Sequence, residues 1–152
     1  MLRPLFKTDL AQLLVIEEAA HTVPWGEETF KICFQSGYAG WAIEQDKIIQ
    51  GFVIVSLRAE ECHILNLCVA REYQQQGLGK RLLQYALNHA KQSGALVAYL
   101  EVRRSNARAI TLYKKERFLL IGTRKDYYPS PTGSEDALIF ARSLQDDLVL
   151  KS

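Results

Sequence analysis

The chain has 152 residues, enough for one domain with a proper buried core. With 48% apolar and 24% charged residues it reads as a globular protein, and a net charge of +2 is too small to make nucleic acid its main partner. No apolar run reaches the length of a membrane span, and Arg3, Lys7 and Asp9 break up the start where a secretory signal would be apolar, so a cytoplasmic protein with no membrane partner is expected.

Leu2 to Phe6 suits a short strand. Thr8 or Asp9 then caps a helix whose apolar positions Leu10, Leu13, Leu14 and Ile16 recur at helical spacing. Pro24-Trp25-Gly26 interrupts, and a second helix is expected from Glu27 to Gln35, stopped by Gly37. Tyr38–Glu44, Gln50–Leu57 and His63–Val69 are rich in β-branched and aromatic residues and are separated by short polar turns, which predicts an antiparallel meander. After Gly77 an amphipathic helix places Leu78, Leu82, Leu83, Ala86, Leu87 and Ala90 on one face, and Ser93-Gly94 ends it.

Ala95–Val102 is a nearly continuous apolar run, the pattern of a strand buried on both faces. Ser105 or Asn106 caps a further helix to about Lys115. Strands over Phe118–Tyr127 and Asp136–Ser143 close the chain, joined by a loop from Tyr128 to Ser134. The class is α/β with a mixed sheet, antiparallel at first and with a helical crossover in the middle. No repeat or linker marks a boundary, so a single domain over residues 1–152 is expected.

Cys33, Cys62 and Cys68 make an odd number with no paired spacing, and nothing near Cys62-His63 or Cys68 completes a zinc ligand set. Buried, reduced thiols and no metal are expected.

The segment from Asn66 to Leu83 carries chemistry. A strand runs into a loop with Gly77 and Gly79, and the loop opens directly into a helix. Glycines there let backbone N–H groups converge on an anion, and the helix start adds unpaired donors and partial positive charge. Lys80 and Arg81 in the first turn oppose the helix dipole unless an anion sits beside them. A pyrophosphate fits. A Walker A loop fails because Gln74 and Arg81 stand where glycine and Ser/Thr are needed, and a dinucleotide fingerprint fails because Leu82 replaces its last glycine.

Gln74-x-x-Gly77-x-Gly79 instead resembles the coenzyme A signature of the GNAT acetyltransferases, and the order of elements is similar to that family from end to end. The resemblance implies a single GNAT fold, a mostly antiparallel mixed sheet with helices on both faces, and acetyl-CoA as co-substrate in a cleft where neighbouring strands splay. It implies that backbone groups of Leu67, Cys68 and Val69 bind the pantetheine arm and polarise the thioester. Gln75, Gln76, Gly77, Leu78, Gly79 and Lys80 would hold the pyrophosphate.

Acetylating an amine needs a neutral nucleophile. An α-amine titrates near about 8 and a lysine near about 10.4, so a base must take a proton and an acid must help the thiolate leave. Glu101 falls near the end of the most apolar strand, where a carboxylate is costly without a partner or a task; a surface pair with Arg103 is the plainer alternative. Asn106, Ile110 and Tyr113 share one helix face. The run Leu100-Glu-Val-Arg with Ser105-Asn-Ala and Leu112-Tyr113 is similar to the ribosomal-protein branch of the family. That likeness implies Glu101 as base, Tyr113 as acid and Asn106 as a pantetheine contact.

Ala20-His-x-x-Pro24-Trp25 and Asp126-Tyr-Tyr-Pro129 match the same branch and imply that Trp25 and Tyr128 frame a peptide slot. The implied partner is a protein N-terminus, the N-terminal alanine of small-subunit ribosomal protein eighteen. Arg117 departs from the family, which has glycine before the phenylalanine, and the basic tail after Leu144 matches no pattern. A lysine or small-amine acetyltransferase, a non-catalytic acetyl-CoA sensor and, through the run Arg103 to Arg117, a nucleic-acid binder are the rival readings. Cys68 has no visible base beside it to support an acetyl-enzyme, so direct attack is expected.

Overall fold

The computed structural model describes residues 1–145; of the basic tail after Leu144, residues 146–152 lie outside the described residues. The elements are β1 (Leu2–Pro4), a 3-10 turn (Lys7–Asp9), α1 (Leu10–Ala20), α2 (Glu27–Gln35), β2 (Ala39–Gln45), β3 (Ile48–Arg58), β4 (Glu61–Val69), a second 3-10 turn (Arg71–Tyr73), α3 (Leu78–Gln92), β5 (Val97–Arg103), α4 (Ala107–Lys115), β6 (Leu119–Ser130) and β7 (Gly133–Ser143). The strands are hydrogen-bonded in the order β1-β2-β3-β4-β5-β7-β6, with β4 and β5 parallel. This is the expected mixed α/β sheet. Two compact units divide the chain: Met1–Ser56 with Leu65–Ala86, and Leu57–Ile64 with the chain from Leu87 on.

In the first unit β1 pairs antiparallel with β2, and β2 with β3 across a two-residue turn at Asp46-Lys47. Both turn residues have positive φ, the geometry that matches the twist of a tight hairpin. The core gathers Leu13 and Ile16 of α1, Phe30 and Cys33 of α2, Ala42, Ile49, Phe52 and Ile54 of the strands, and Cys68. Phe30 and Phe52 are fully buried, each worth roughly 1.5–3 kcal/mol.

Asp9 does not cap α1 as expected. Its carboxylate instead reaches back to accept from the Phe6 N–H at 2.7 Å and from both guanidinium nitrogens of Arg3, at 2.9 and 3.0 Å. Burial works to raise the Asp9 carboxyl, but the Arg3 and Phe6 bonds outweigh it and hold it below its ordinary value.

In the second unit β4 pairs parallel with β5 from Glu61↔Val97 to Ile64↔Leu100, β5 pairs antiparallel with β7, and β7 with β6. Ala98, Leu100 and Val102 are buried, as are Phe118, Ala137, Leu138 and Phe140. Two expectations change here. β5 is not buried on both faces: Ala98, Leu100 and Val102 alternate with half-buried Val97, Tyr99 and Arg103 and with exposed Glu101. The expected loop Tyr128–Ser134 is instead the end of a hairpin, with Tyr128↔Glu135, Pro129↔Ser134 and Ser130↔Gly133 in register. β6 is an edge strand, where a proline does not cost a ladder bond.

Arg117 ends α4 in the place glycine usually takes. Its φ is +68°, its N–H bonds the Lys114 carbonyl at 3.1 Å, and the Phe118 N–H reaches back to the Tyr113 carbonyl at 3.0 Å. The left-handed cap therefore forms without glycine, at a steric cost of about 1 kcal/mol. Arg117→Gly is expected to raise the melting temperature by a few degrees and leave turnover unchanged; a lower melting temperature would show that the arginine side chain outweighs the backbone strain.

Candidate active site

The loop expected to receive the phosphates lies wholly in the first unit. β4 ends at Val69, the Ala70 N–H bonds the Gln50 carbonyl at 2.9 Å, and the Gln74 side-chain amide donates to the Val69 carbonyl at 3.0 Å. Gln74 thus folds the loop onto the strand rather than pointing at a ligand. Gln75 and Gly77 then take φ of +63° and +82°, and α3 begins at Leu78. The first helical N–H groups have no intrahelical carbonyl to meet, and left-handed steps just before a helix aim successive N–H groups at one anion.

A Cβ built on Gly77 meets nothing within 4 Å. Glycine is therefore needed here for its backbone angle and for open approach, not for lack of room in the core. Gln75, Gln76, Gly77 and Lys80 are exposed, Leu78 and Gly79 half-buried. A diphosphate fits these residues. Gly51, not noticed in the sequence, is a tight position beside this segment: its Cβ would lie 3.0 Å from the Cys68 carbonyl oxygen and 3.2 Å from Leu82. It lets β3 approach β4 and α3 closely.

Along β4 the side chains alternate, with Asn66 and Cys68 buried and Leu67 and Val69 half-buried. The Cys68 thiol faces the Ile16 carbonyl at 3.9 Å. Burial, and next the charge of Glu17, push its pKa far up, so it stays protonated and makes a poor acetyl carrier. Burial pushes Cys62 up to about 11.

Glu17, His21 and Cys68 bring three donor atoms within 4.8 Å of one another. Both Glu17 oxygens are already accepting N–H donors, from Asn66 and Trp25, and the thiol keeps its proton, so the donor set fits a hydrogen-bonded carboxylate better than a zinc site. The Trp25 ring stacks edge-on against Phe30, centroids 5.3 Å apart.

The second unit holds the acid–base candidates. Glu101 projects from β5 opposite Ile139 of β7 and is accessible to solvent. Its partner is not Arg103, as the plainer reading held, but Arg124 of β6 at 3.7 Å. Arg103 instead donates to Glu135 at 3.1 Å and to the Pro129 carbonyl at 2.7 Å, and lies 4.4 Å over the Tyr128 ring. Glu135 also accepts from the Ser105 N–H at 3.1 Å. Partial burial works to raise the Glu135 carboxyl, but the bonds from Ser105 and Arg103 hold it below its ordinary value.

Tyr128 is half-buried, and burial together with the nearby charge of Glu101 pushes its hydroxyl up to about 12. It therefore stays a neutral donor beside the carboxylate. Tyr113 is 7% exposed and packs edge-on against Phe118 at 5.8 Å. Asn106 caps α4, its side-chain oxygen accepting from the Ala109 N–H at 3.2 Å, which leaves the amide nitrogen as the group that could meet a ligand. The basic run is partly neutralised, since Arg103 pairs with Glu135 and Arg104 with Asp136 at 3.3 Å.

A glycine loop opening onto a helix is the arrangement that suits an acyl-coenzyme A transferase, and the family comparison gives that class. The acetyltransferase (GNAT) family profile matches residues 10–117, and the chain belongs to that family. It is 37% identical to the ribosomal protein bS18-alanine N-acetyltransferase of Escherichia coli K12 over 134 residues, 88% of this chain and 90% of that one. The crystal structure of the Escherichia coli ribosomal-protein-S18-alanine N-acetyltransferase superposes with a TM-score of 0.90 at 35% identity, covering 96% of this chain and 94% of that one. A Salmonella typhimurium protein solved with its cofactor acetyl-CoA shares the fold at 17% identity, with a TM-score of 0.80 and coverage of 96% and 94%. Among the described residues no helix is long and apolar enough to cross a membrane.

Gly77→Asp sets a carboxylate in the open space where the loop would receive phosphate. Acetyl-CoA affinity is expected to fall at least tenfold by calorimetry with the protein still folded; unchanged affinity would move the phosphate site elsewhere.

Proposed function

We propose that this chain is one catalytic domain that transfers the acetyl group of acetyl-CoA to the N-terminal α-amine of a protein, the N-terminal alanine of ribosomal protein bS18. The observation that carries the reading is the 37% identity, over nearly all of both chains, to an enzyme named for that reaction. A ribosomal acceptor supports a cytoplasmic location for the protein.

In this reading the N–H groups of Gln75 to Lys80 take the pyrophosphate, and backbone groups of Leu67 to Val69 hold the pantetheine arm and the thioester oxygen. Asn106 adds a contact to the arm through its amide nitrogen. Glu101 takes a proton from the α-ammonium, directly or through water, and the freed amine attacks the carbonyl carbon. Backbone donors stabilise the oxyanion. Collapse breaks the carbon–sulfur bond, Tyr113 gives its proton to the departing thiolate, and the second proton lost by the nitrogen restores the Tyr113 hydroxyl through solvent. Trp25 and Tyr128 frame the acceptor. With Cys68 protonated and buried, direct attack is favoured over an acetyl-enzyme.

Release of free thiol from acetyl-CoA with a short Ala-initiated peptide, beside an N-terminally blocked peptide carrying lysine, tests the acceptor. Turnover with the first alone is expected; turnover with the second alone would make the chain a lysine acetyltransferase. Glu101→Gln is expected to cut turnover by about a hundredfold or more while acetyl-CoA binding stays within twofold, the size of effect a general base supplies. Undiminished turnover would remove Glu101 from the mechanism.

A further inference from the structure

One buried carboxylate has no part in the chemistry above. Glu17 of α1 is 2% exposed in the core of the first unit. One of its oxygens accepts from the Asn66 side-chain amide at 2.9 Å, and the other from the Trp25 backbone N–H at 2.9 Å. The Glu17 backbone carbonyl accepts the His21 N–H at 3.1 Å, the last turn of α1. The loop from His21 to Trp25 therefore leaves the helix on one oxygen of Glu17 and returns to another. His21 lies beside the same carboxylate, its Nε2 3.6 Å from Oε1.

These bonds join two places that the proposed reaction needs in register. Asn66 directly precedes Leu67, Cys68 and Val69, the stretch assigned to the thioester. Trp25 is assigned to the acceptor slot. β4 is held by its own ladder within the sheet, and the Trp25 ring is held by Phe30. The Trp25 backbone is what Glu17 fixes. A buried carboxylate is tolerated when its lone pairs are filled by good donors, and removing the acceptor leaves those donors unpaired.

We propose that Glu17 is a positioning residue for the acceptor: it sets the loop His21–Trp25 against β4, so that the incoming N-terminus meets the thioester at the right height. The inference rests on the acceptor reading given above. Glu17 touches neither co-substrate in this scheme. Its loss should act on the acceptor and spare the cofactor, because the phosphate loop and its Gln74 anchor make no use of it.

The test uses the full chain, acetyl-CoA and the Ala-initiated peptide. Glu17→Met fills the same space without an acceptor for either N–H. The peptide KM is expected to rise at least tenfold, with acetyl-CoA affinity within threefold of the parent. Glu17→Gln keeps an oxygen for Trp25, and its amide can meet a turned Asn66 amide, so its KM should stay within threefold. Asn66→Leu cuts only the tether to β4 and should raise KM at least threefold, which keeps the question answerable if Glu17→Met does not fold.

A KM within twofold of the parent in folded Glu17→Met, or in folded Asn66→Leu where the former does not fold, overturns the inference. So does a parallel loss of cofactor affinity and melting temperature with KM unchanged, the mark of a purely structural role. Parent enzyme that turns over no Ala-initiated peptide would overturn the acceptor reading itself, before any variant is compared.

Discussion

Two parallel strands cannot be joined by a hairpin; the chain must leave the end of the first and travel back through a crossover before it can lie beside it. β4 and β5 are such a pair, in register from Glu61↔Val97 to Ile64↔Leu100, and α3 is the crossover. The chain leaving Val69 therefore has to turn sharply and start a helix within a few residues. A sharp turn into a helix start is also the geometry in which N–H groups are left unpaired and convergent. The sharp turn is thus a consequence of the topology, Gln75 and Gly77 in left-handed conformations are the local means of making it, and the proposed anion site follows from it.

Three carboxylates of this protein share a pattern. Asp9 joins Arg3 of β1 to the Phe6 N–H, and Arg3 also reaches Glu44 of β2 at 2.8 Å. Glu17 joins α1 to β4 and to the Trp25 loop. Glu135 joins β7 to Arg103 of β5 and to the Ser105 N–H that leads into α4. In each case a carboxylate takes at least one backbone N–H from a loop, as well as a side-chain donor from a regular element. Such a group adds little net stability, since desolvation offsets most of the attraction. What it supplies is direction, because apolar contacts alone do not fix where a loop backbone lies.

That difference explains what could be read in the sequence. α2 matches its expected span at both ends because Gly26 and Gly37 punctuate it, and α3 shows its apolar stripe without ambiguity. The glycine turn into α3 was legible because its geometry is carried by backbone over a few consecutive residues. The hairpin end at Tyr128–Glu135 was not, since Pro129, Pro131 and Gly133 read as a loop unless β6 is known to be the edge strand. Glu17 was half visible. It stands four residues after Leu13 and seven after Leu10, on the stripe that the apolar spacing marked as buried. Its partner Asn66 lies 49 residues away, a separation that no local pattern encodes.

The same reasoning sets how the two halves of the function differ in kind. Holding a diphosphate asks for backbone geometry, and backbone geometry follows from glycine placement and strand order. In the proposed scheme, choosing an acceptor asks for loop position, and these loops hang on side-chain contacts: the Trp25 N–H on Glu17, the Tyr128 ring under the Arg103 guanidinium, and Arg103 on Glu135. Each of these contacts is reached by side chains that could be exchanged without altering a strand or a helix. In the proposed scheme the cofactor contacts rest on backbone and the acceptor contacts on side chains, so a family built on this plan can keep the first while the second changes. Recognition of the fold therefore carries the donor substrate with it, whereas the acceptor has to be read residue by residue from the groups that anchor the two loops.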